Sequence, residues 1–182
     1  MSSTASVGGH DRLRLFCGFR LPDGTLDELE RWQAAQLRGR IVPRANLHIT
    51  LAFLGSRPVG ELPDVAKALR DAAARVEQPA FRVARYRETR SVGMLVLEED
   101  GRDADRLATD LHARLEALGL YRRETRRWLP HITVARFRER PRLRPEIPEF
   151  HAFSPSDVAV YHSALSPSGA QYTVLESAPL GG

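Results

Sequence analysis

The sequence predicts an α+β (α/β-type) domain with mostly antiparallel strands, built as two halves related by a pseudo-twofold axis. Three observations carry this. The chain has 182 residues, a length that suits one domain and leaves little room for two. Its hydrophobic periodicities alternate between strand and helix as β-α-β-α-β-β-α-β-β-β, with hairpins among the strands. The segment Leu47-His48-Ile49-Thr50-Leu51-Ala52 returns 83 residues later as Pro130-His131-Ile132-Thr133-Val134-Ala135. That period is too long for a solenoid repeat and fits two halves of one fold.

The elements follow in order. Residues 1–11 are small and polar and read as a flexible tail. The apolar run 13–21 is a strand, closed by the turn Pro22-Asp23-Gly24. Thr25 and Glu28 have capping-box spacing, which predicts a helix to about Leu37 with Leu29 and Trp32 inward. Residues 47–54 are a strand ending at Gly55. Leu62, Val65, Leu69 and Val76 recur at helical spacing over 60–77. Residues 80–88 and 91–99 form two strands joined near Thr89-Arg90. Leu107, Leu111, Leu115 and Leu118 mark a helix over 104–118, with Gly119 as its C-terminal cap. Residues 129–137 mirror the earlier motif strand. The Pro-rich stretch Pro141 to Pro155 is a loop with room for a short strand. Residues 157–165 and 170–176 pair across Ser166-Pro167-Ser168-Gly169. Residues 12–178 make up the domain and 179–182 a second tail.

Composition narrows the function. The chain is 42% hydrophobic and 27% charged, ordinary for a globular protein with a full core. One cysteine, Cys17, excludes an internal disulfide and a Cys-based zinc site, and it reads as a small core residue. No apolar run is long enough to span a bilayer, and the N-terminus lacks a secretory h-region. A cytoplasmic protein is expected. Of 27 basic residues 26 are Arg, the one lysine being Lys67, for a net charge of +4. Lys67 has no nucleotide-ligase motif around it, and there is no Walker sequence.

The repeated tripeptide is the chemical signal. Random pairing of six His with eight Thr in 182 residues gives about 0.3 His-x-Thr occurrences, and two are present, both in apolar strands. Strict strand alternation puts His48, Thr50 and Ala52 on one face and Leu47, Ile49, Leu51 and Phe53 on the core face. It likewise sets His131, Thr133 and Ala135 against Ile132 and Val134. A phosphoryl group fits between imidazole and hydroxyl, with the alanine leaving room. Two such strands facing each other supply one neutral and one protonated imidazole, the pair that base and acid catalysis needs. The threonine hydroxyls would donate to phosphorus-bound oxygens.

With these motifs the sequence resembles the 2H phosphoesterase superfamily, and within it the RNA 2′,3′-cyclic phosphodiesterases, also called 2′-5′ RNA ligases. The likeness rests on Asn46–Gly55 and Pro130–Arg136. Arg14-Leu15-Phe16 leading to Leu21-Pro22, and Ser163 to Leu175 with Gly169 and Tyr172, add to it. It implies a bilobal fold, two mostly antiparallel sheets around a central cleft, with helices outside. It implies hydrolysis of 2′,3′-cyclic phosphates to 2′-phosphomonoesters without metal or other cofactor. By the same resemblance His131 would be the base that activates water, His48 the acid for the 3′ oxygen, and Thr50 and Thr133 the phosphate holders. Phe16 or Phe19, and Arg136, match family positions beside the base of the nucleotide. Alternation, however, turns Arg136 toward the core unless the strand bulges or ends there. Trp128-Leu129 precede Pro130-His131 where relatives more often carry Phe-His. The partners implied are RNA ends or small 2′,3′-cyclic nucleotides, met by a monomer. Ligation would be the ATP-independent reverse of phosphodiester cleavage.

The other histidines read as structural. His112 falls on a helix flank at the surface, His151 and His162 in the late loop and strand, and His10 in the tail. Arg122, Arg123, Arg126 and Arg127 precede the second motif and either contact a nucleic-acid backbone or form a solvated loop. Two alternatives remain at this level. One is a noncatalytic RNA-end-binding module. The other is a phosphodiesterase for another cyclic or 2′,5′-linked nucleotide.

Overall fold

The computed structural model describes residues 11–181; the predicted tail 1–11, apart from Asp11, and His10 within it lie outside the described residues. The chain runs β1 (Arg12–Arg20), α1 (Asp23–Gln36), β2 (Arg40–Ile41), β3 (His48–Pro58), α2 (Leu62–Ala73), β4 (Ala80–Glu88), β5 (Val92–Asp100), α3 (Asp103–Ala117), β6 (His131–Arg136), β7 (Asp157–Ser166) and β8 (Gly169–Pro179). The strands lie in the order β4-β5-β6-β3-β1-β7-β8, with β2 on β6, and every pairing is antiparallel. The two expected sheets are therefore joined. Only one register pair, Ile49↔Ile132, connects β3 to β6, and at that seam the halves meet.

Each half repeats one unit. β1, α1 and β3 form the first, and β5, α3 and β6 the second, the two strands pairing antiparallel in each. Leu29, Val65, Leu69, Leu107, Leu111 and Leu115 are all fully buried or nearly so, which puts most of the predicted helix stripes in the core; Leu118, expected on the same face, is the residue after α3 and is 49% exposed. α2 packs on α3 and on β7 and β8. Gly119 takes φ +70 after α3, the left-handed conformation that a C-terminal cap asks of glycine. Phe153 bridges Phe81, the one piece of extended pairing in the Pro-rich loop. β8 runs to Pro179, and Leu180 beyond it is buried.

Several local expectations change. The helix begins at Asp23 behind Pro22 with no side-chain cap; Thr25 is buried inside the first turns, so its hydroxyl does not cap. Gly55 does not end the strand, which continues through it to Pro58 with φ +68 at the glycine. Alternation also fails inside both motif strands. Opposite β1, Cys17 pairs Ala52 but Gly18 pairs Thr50, leaving Leu51 as an extra residue. Opposite β5, Gly93 pairs Ala135 but Met94 pairs Thr133, leaving Val134 extra. Each is a β-bulge, and one inserted residue reverses which face the following residues present; in β3 a second shift, which leaves Leu54 extra opposite Leu15 and Phe16, reverses them again. Ala52 and Ala135 therefore turn into the core at 2% and 0% exposure. They do not share the face of the histidine and threonine, as strict alternation expected them to. Phe53, expected in the core, is 49% exposed, and Arg136 is exposed as well.

Candidate active site

Both motif histidines are fixed by the carbonyl two residues before them. His48 Nδ1 lies 2.8 Å from the Asn46 carbonyl, and His131 Nδ1 lies 2.9 Å from the Leu129 carbonyl. A carbonyl only accepts, so each Nδ1 carries the proton and each Nε2 is left for other partners. In the first motif Nε2 lies 2.8 Å from Thr50 Oγ1, the closeness expected of His and Thr on one strand face.

The two rings sit in different surroundings. His48 packs under Phe16 at 4.7 Å between ring centroids, with Tyr172 at 5.5 Å and Tyr161 at 5.7 Å. Phe16 in turn stacks on Tyr161 at 4.7 Å and 7°. Gly18 on β1 makes the space, since a Cβ there would stand 2.7 Å from the Ile49 carbonyl and 3.3 Å from His48 Cδ2. Burial lowers the His48 pKa to about 4; the Asn46 carbonyl opposes this, and the charges of His131 and Arg136 add to it. At neutral pH this leaves His48 uncharged. No aromatic ring stacks on His131 among the described residues.

Two cavities meet at this point. The smaller, of about 360 Å³, is lined by Phe16, Asn46, His48, Thr133, Arg136 and Tyr172. The larger, of about 780 Å³, has His131, Leu129, Met94, Arg87 and Arg123 in its wall. Thr50 and Phe53 border both. Asn46 Nδ2 donates to the Ala170 carbonyl at 2.8 Å, which ties the start of the first motif to the β7–β8 hairpin beside the smaller cavity.

The structure brings together six of the seven residues singled out in the sequence: Phe16, His48, Thr50, Thr133 and Arg136 in one cavity and His131 in its neighbour. Phe19 is the exception. It is fully buried and packs edge-on against Phe81 at 5.6 Å, on the far side of β1 from Phe16. Of the arginine cluster, Arg123, Arg126 and Arg127 line the larger cavity and Arg122 does not. Arg126 pairs Glu124 and Arg127 pairs Asp105. Cys17 is fully buried with its thiol pushed up to about 12 by burial, an inert core residue.

Sequence reasoning missed Phe53, because the bulge is invisible to strict alternation. It also misplaced His112, which is not a surface residue. His112 is 8% exposed, packs on Tyr121 at 4.8 Å, and donates from Nε2 to the Leu51 carbonyl at 2.7 Å. Gln33, 2% exposed, donates from Nε2 to the Val42 and Val134 carbonyls, both at 3.0 Å. Trp128 Nε1 donates to the Thr50 carbonyl at 2.9 Å, which accounts for a tryptophan ahead of the second motif.

The sequence profile of the 2′-5′ RNA ligase superfamily matches residues 21–166. An RNA 2′,3′-cyclic phosphodiesterase of Thermus thermophilus is 38% identical, covering 93% of this chain and 91% of its own length. The Escherichia coli protein of the same name is 28% identical, covering 90% and 94%. Among solved structures, one from Thermus thermophilus superposes with a TM-score of 0.77 at 32% identity, covering 92% of this chain and 98% of that one. Escherichia coli LigT complexed with 3′-AMP superposes with a TM-score of 0.76 at 26% identity, covering 94% and 100%.

Proposed function

The chain belongs to the 2′-5′ RNA ligase superfamily, and we propose that it is an RNA 2′,3′-cyclic phosphodiesterase of the 2H phosphoesterase kind whose two motif histidines divide acid and base catalysis. The observation that carries this reading is the pair of anchored imidazoles. In each motif the backbone holds Nδ1–H and leaves Nε2 for chemistry.

The unequal surroundings support the division of labour. The nucleoside bearing the cyclic phosphate takes the smaller, aromatic cavity, with Phe16 and Arg136 beside its base and Thr50 and Thr133 on phosphate oxygens. Water enters from the larger cavity, where His131 Nε2 accepts its proton. The water oxygen bonds to phosphorus, the bond from phosphorus to the 3′ oxygen breaks, and His48 delivers a proton to that oxygen. The product is a 2′-phosphomonoester. His48 is uncharged before substrate arrives, so its proton is taken up with the substrate. The anionic phosphate beside the ring favours imidazolium and reverses the depression caused by burial. Neither redox change nor nucleotide triphosphate is needed.

The larger cavity favours a second use of the same site. At about 780 Å³ it greatly exceeds the ~30 Å³ share of one water. It therefore has room for a strand whose 5′-hydroxyl replaces water, which is 2′-5′ ligation by the same proton transfers. The enzyme acts as a cytoplasmic monomer on RNA ends or small 2′,3′-cyclic nucleotides. No helix among the described residues is long and apolar enough to cross a membrane.

Incubation with 2′,3′-cyclic AMP, followed by phosphorus NMR, tests the reading. A 2′-monophosphate formed in the presence of EDTA is the expected result. A 3′-monophosphate contradicts the leaving oxygen, and loss of activity on chelation with recovery on adding a divalent metal contradicts the metal-free mechanism. Tight nucleotide binding without turnover assigns the chain to the binding modules instead.

A further inference from the structure

The two bulges occupy the same place in the two motifs, immediately after the threonine. Each inserts a residue, Leu51 or Val134, between the His-x-Thr pair and the alanine. The effect is the same in both strands. The residue five after the histidine, Phe53 or Arg136, is returned to the face that bears the histidine and threonine. With unbroken pairing Phe53 and Arg136 would point at the core.

A bulge also leaves ladder groups to be satisfied, and in both halves a buried polar side chain does so. The Leu51 carbonyl receives His112 Nε2–H at 2.7 Å. The Val134 carbonyl receives Gln33 Nε2–H at 3.0 Å as well as the Val42 backbone N–H at 3.0 Å. The same Gln33 nitrogen reaches the Val42 carbonyl at 3.0 Å, so one amide joins the bulge to the segment that extends β2. The donors are themselves related by the pseudo-twofold. Gln33 lies on α1 of the first half and serves the second motif; His112 lies on α3 of the second half and serves the first. Each helix reaches across to the other half's bulge.

We infer that Gln33 and His112 are positioning residues that latch the paired bulges and so aim Arg136 and Phe53 into the substrate cleft. The inference rests on the phosphodiesterase reading for what enters the cleft, and on the hydrogen bonds alone for the latch. Gln33 acts on the substrate through Arg136, and His112 through Phe53. Neither supplies the proton transfers: Gln33 is buried behind β6, and His112, 8% exposed, reaches the wall of the larger cavity beside Leu51 and Phe53.

A double-mutant cycle separates positioning from stability. Gln33→Leu, Arg136→Ala and the double variant are compared in hydrolysis of 2′,3′-cyclic AMP and in calorimetric binding of adenosine 2′-monophosphate. The expected result is a rise of about tenfold in KM and in Kd for Gln33→Leu with kcat changed less than threefold, and no further loss when Gln33→Leu is added to Arg136→Ala. His112→Leu is expected to be silent in a Phe53→Ala background in the same way, and His112→Gln, which keeps a donor, to restore most of the affinity. Losses that multiply in the double variants overturn the inference, as does Gln33→Leu binding like the wild type. Should Gln33→Leu fail to fold, Gln33→Asn, whose shorter amide does not span both carbonyls, takes its place; failure of that variant too would assign the amide to stability and overturn the positioning role. Absence of any hydrolysis by the wild-type protein defeats the functional reading, while the binding arm still decides the latch.

Discussion

The two halves carry the same tripeptide, the same carbonyl anchor on Nδ1 and the same bulge, yet they differ in what surrounds the ring. His48 lies in a box of Phe16, Tyr161 and Tyr172 with its pKa lowered to about 4. His131 borders the larger cavity, and no aromatic ring stacks on it among the described residues. The lesson is that backbone symmetry places two equivalent imidazoles, and side-chain packing then makes them unequal. A symmetric pair cannot tell which histidine should hold a proton. Unequal packing, with aromatic rings around His48 and none on His131 among the described residues, supports the proposed division between them.

Predictions that erase one motif have the largest effect. His48→Ala or His131→Ala is expected to lower kcat by about 10²–10⁴, measured on 2′,3′-cyclic AMP. Thr50→Val or Thr133→Val removes a hydroxyl proposed to donate to the phosphate and is expected to cost about 10² in kcat. A loss confined to one half in either pair would break the comparison at once.

The next prediction concerns stability. An unfolded His48 takes up a proton below its ordinary value near 6.5, whereas the native ring resists until about 4. The unfolded state therefore binds more protons between those values, and stability falls as pH drops through that window, then levels off. The shift corresponds to about 3 kcal/mol. Urea titrations of the wild type and His48→Gln between pH 4 and 7 should differ by roughly that amount in their pH dependence; parallel curves would mean that His48 is not enclosed.

Smaller effects sharpen the contrast. Gly18→Ala pushes a methyl toward the Ile49 carbonyl and His48 Cδ2. It should lower activity by displacing the first motif alone, and the His48 C–H resonances should report the displacement in NMR. At the bottom of the scale, Arg126 and Arg127 are exposed partners of Glu124 and Asp105. Ion pairs of solvent-exposed arginines contribute little to stability, so Arg126→Ala with Arg127→Ala should leave the melting temperature nearly unchanged.

The order of elements was legible because the helix stripes and strand runs were long enough to show their period. The pair His48 and His131 was legible because the tripeptide occurs twice. What stayed hidden depends on single inserted residues. Leu51 and Val134 look like any apolar strand positions, and nothing in them marks a bulge. The one trace was Arg136, a charged residue that strict alternation puts in the core; the bulge resolves it. Phe53 gave no such trace, since an aromatic suits either face. Gln33 and His112 sit beside Trp32 and Leu111 on core-facing helix flanks, and only the distant carbonyls they meet explain them. β2, two residues long, carries too little pattern to announce itself.

The division between the histidines is tested most directly by changing the leaving group. A 3′-deoxyadenosine 2′-(4-nitrophenyl) phosphodiester expels a phenolate that needs no proton. With this substrate His48→Ala should recover at least tenfold of the activity it loses on 2′,3′-cyclic AMP, while His131→Ala should be equally impaired on both. Recovery by His131→Ala and none by His48→Ala would contradict the proposed assignment of acid to the ring packed among aromatics and base to its counterpart.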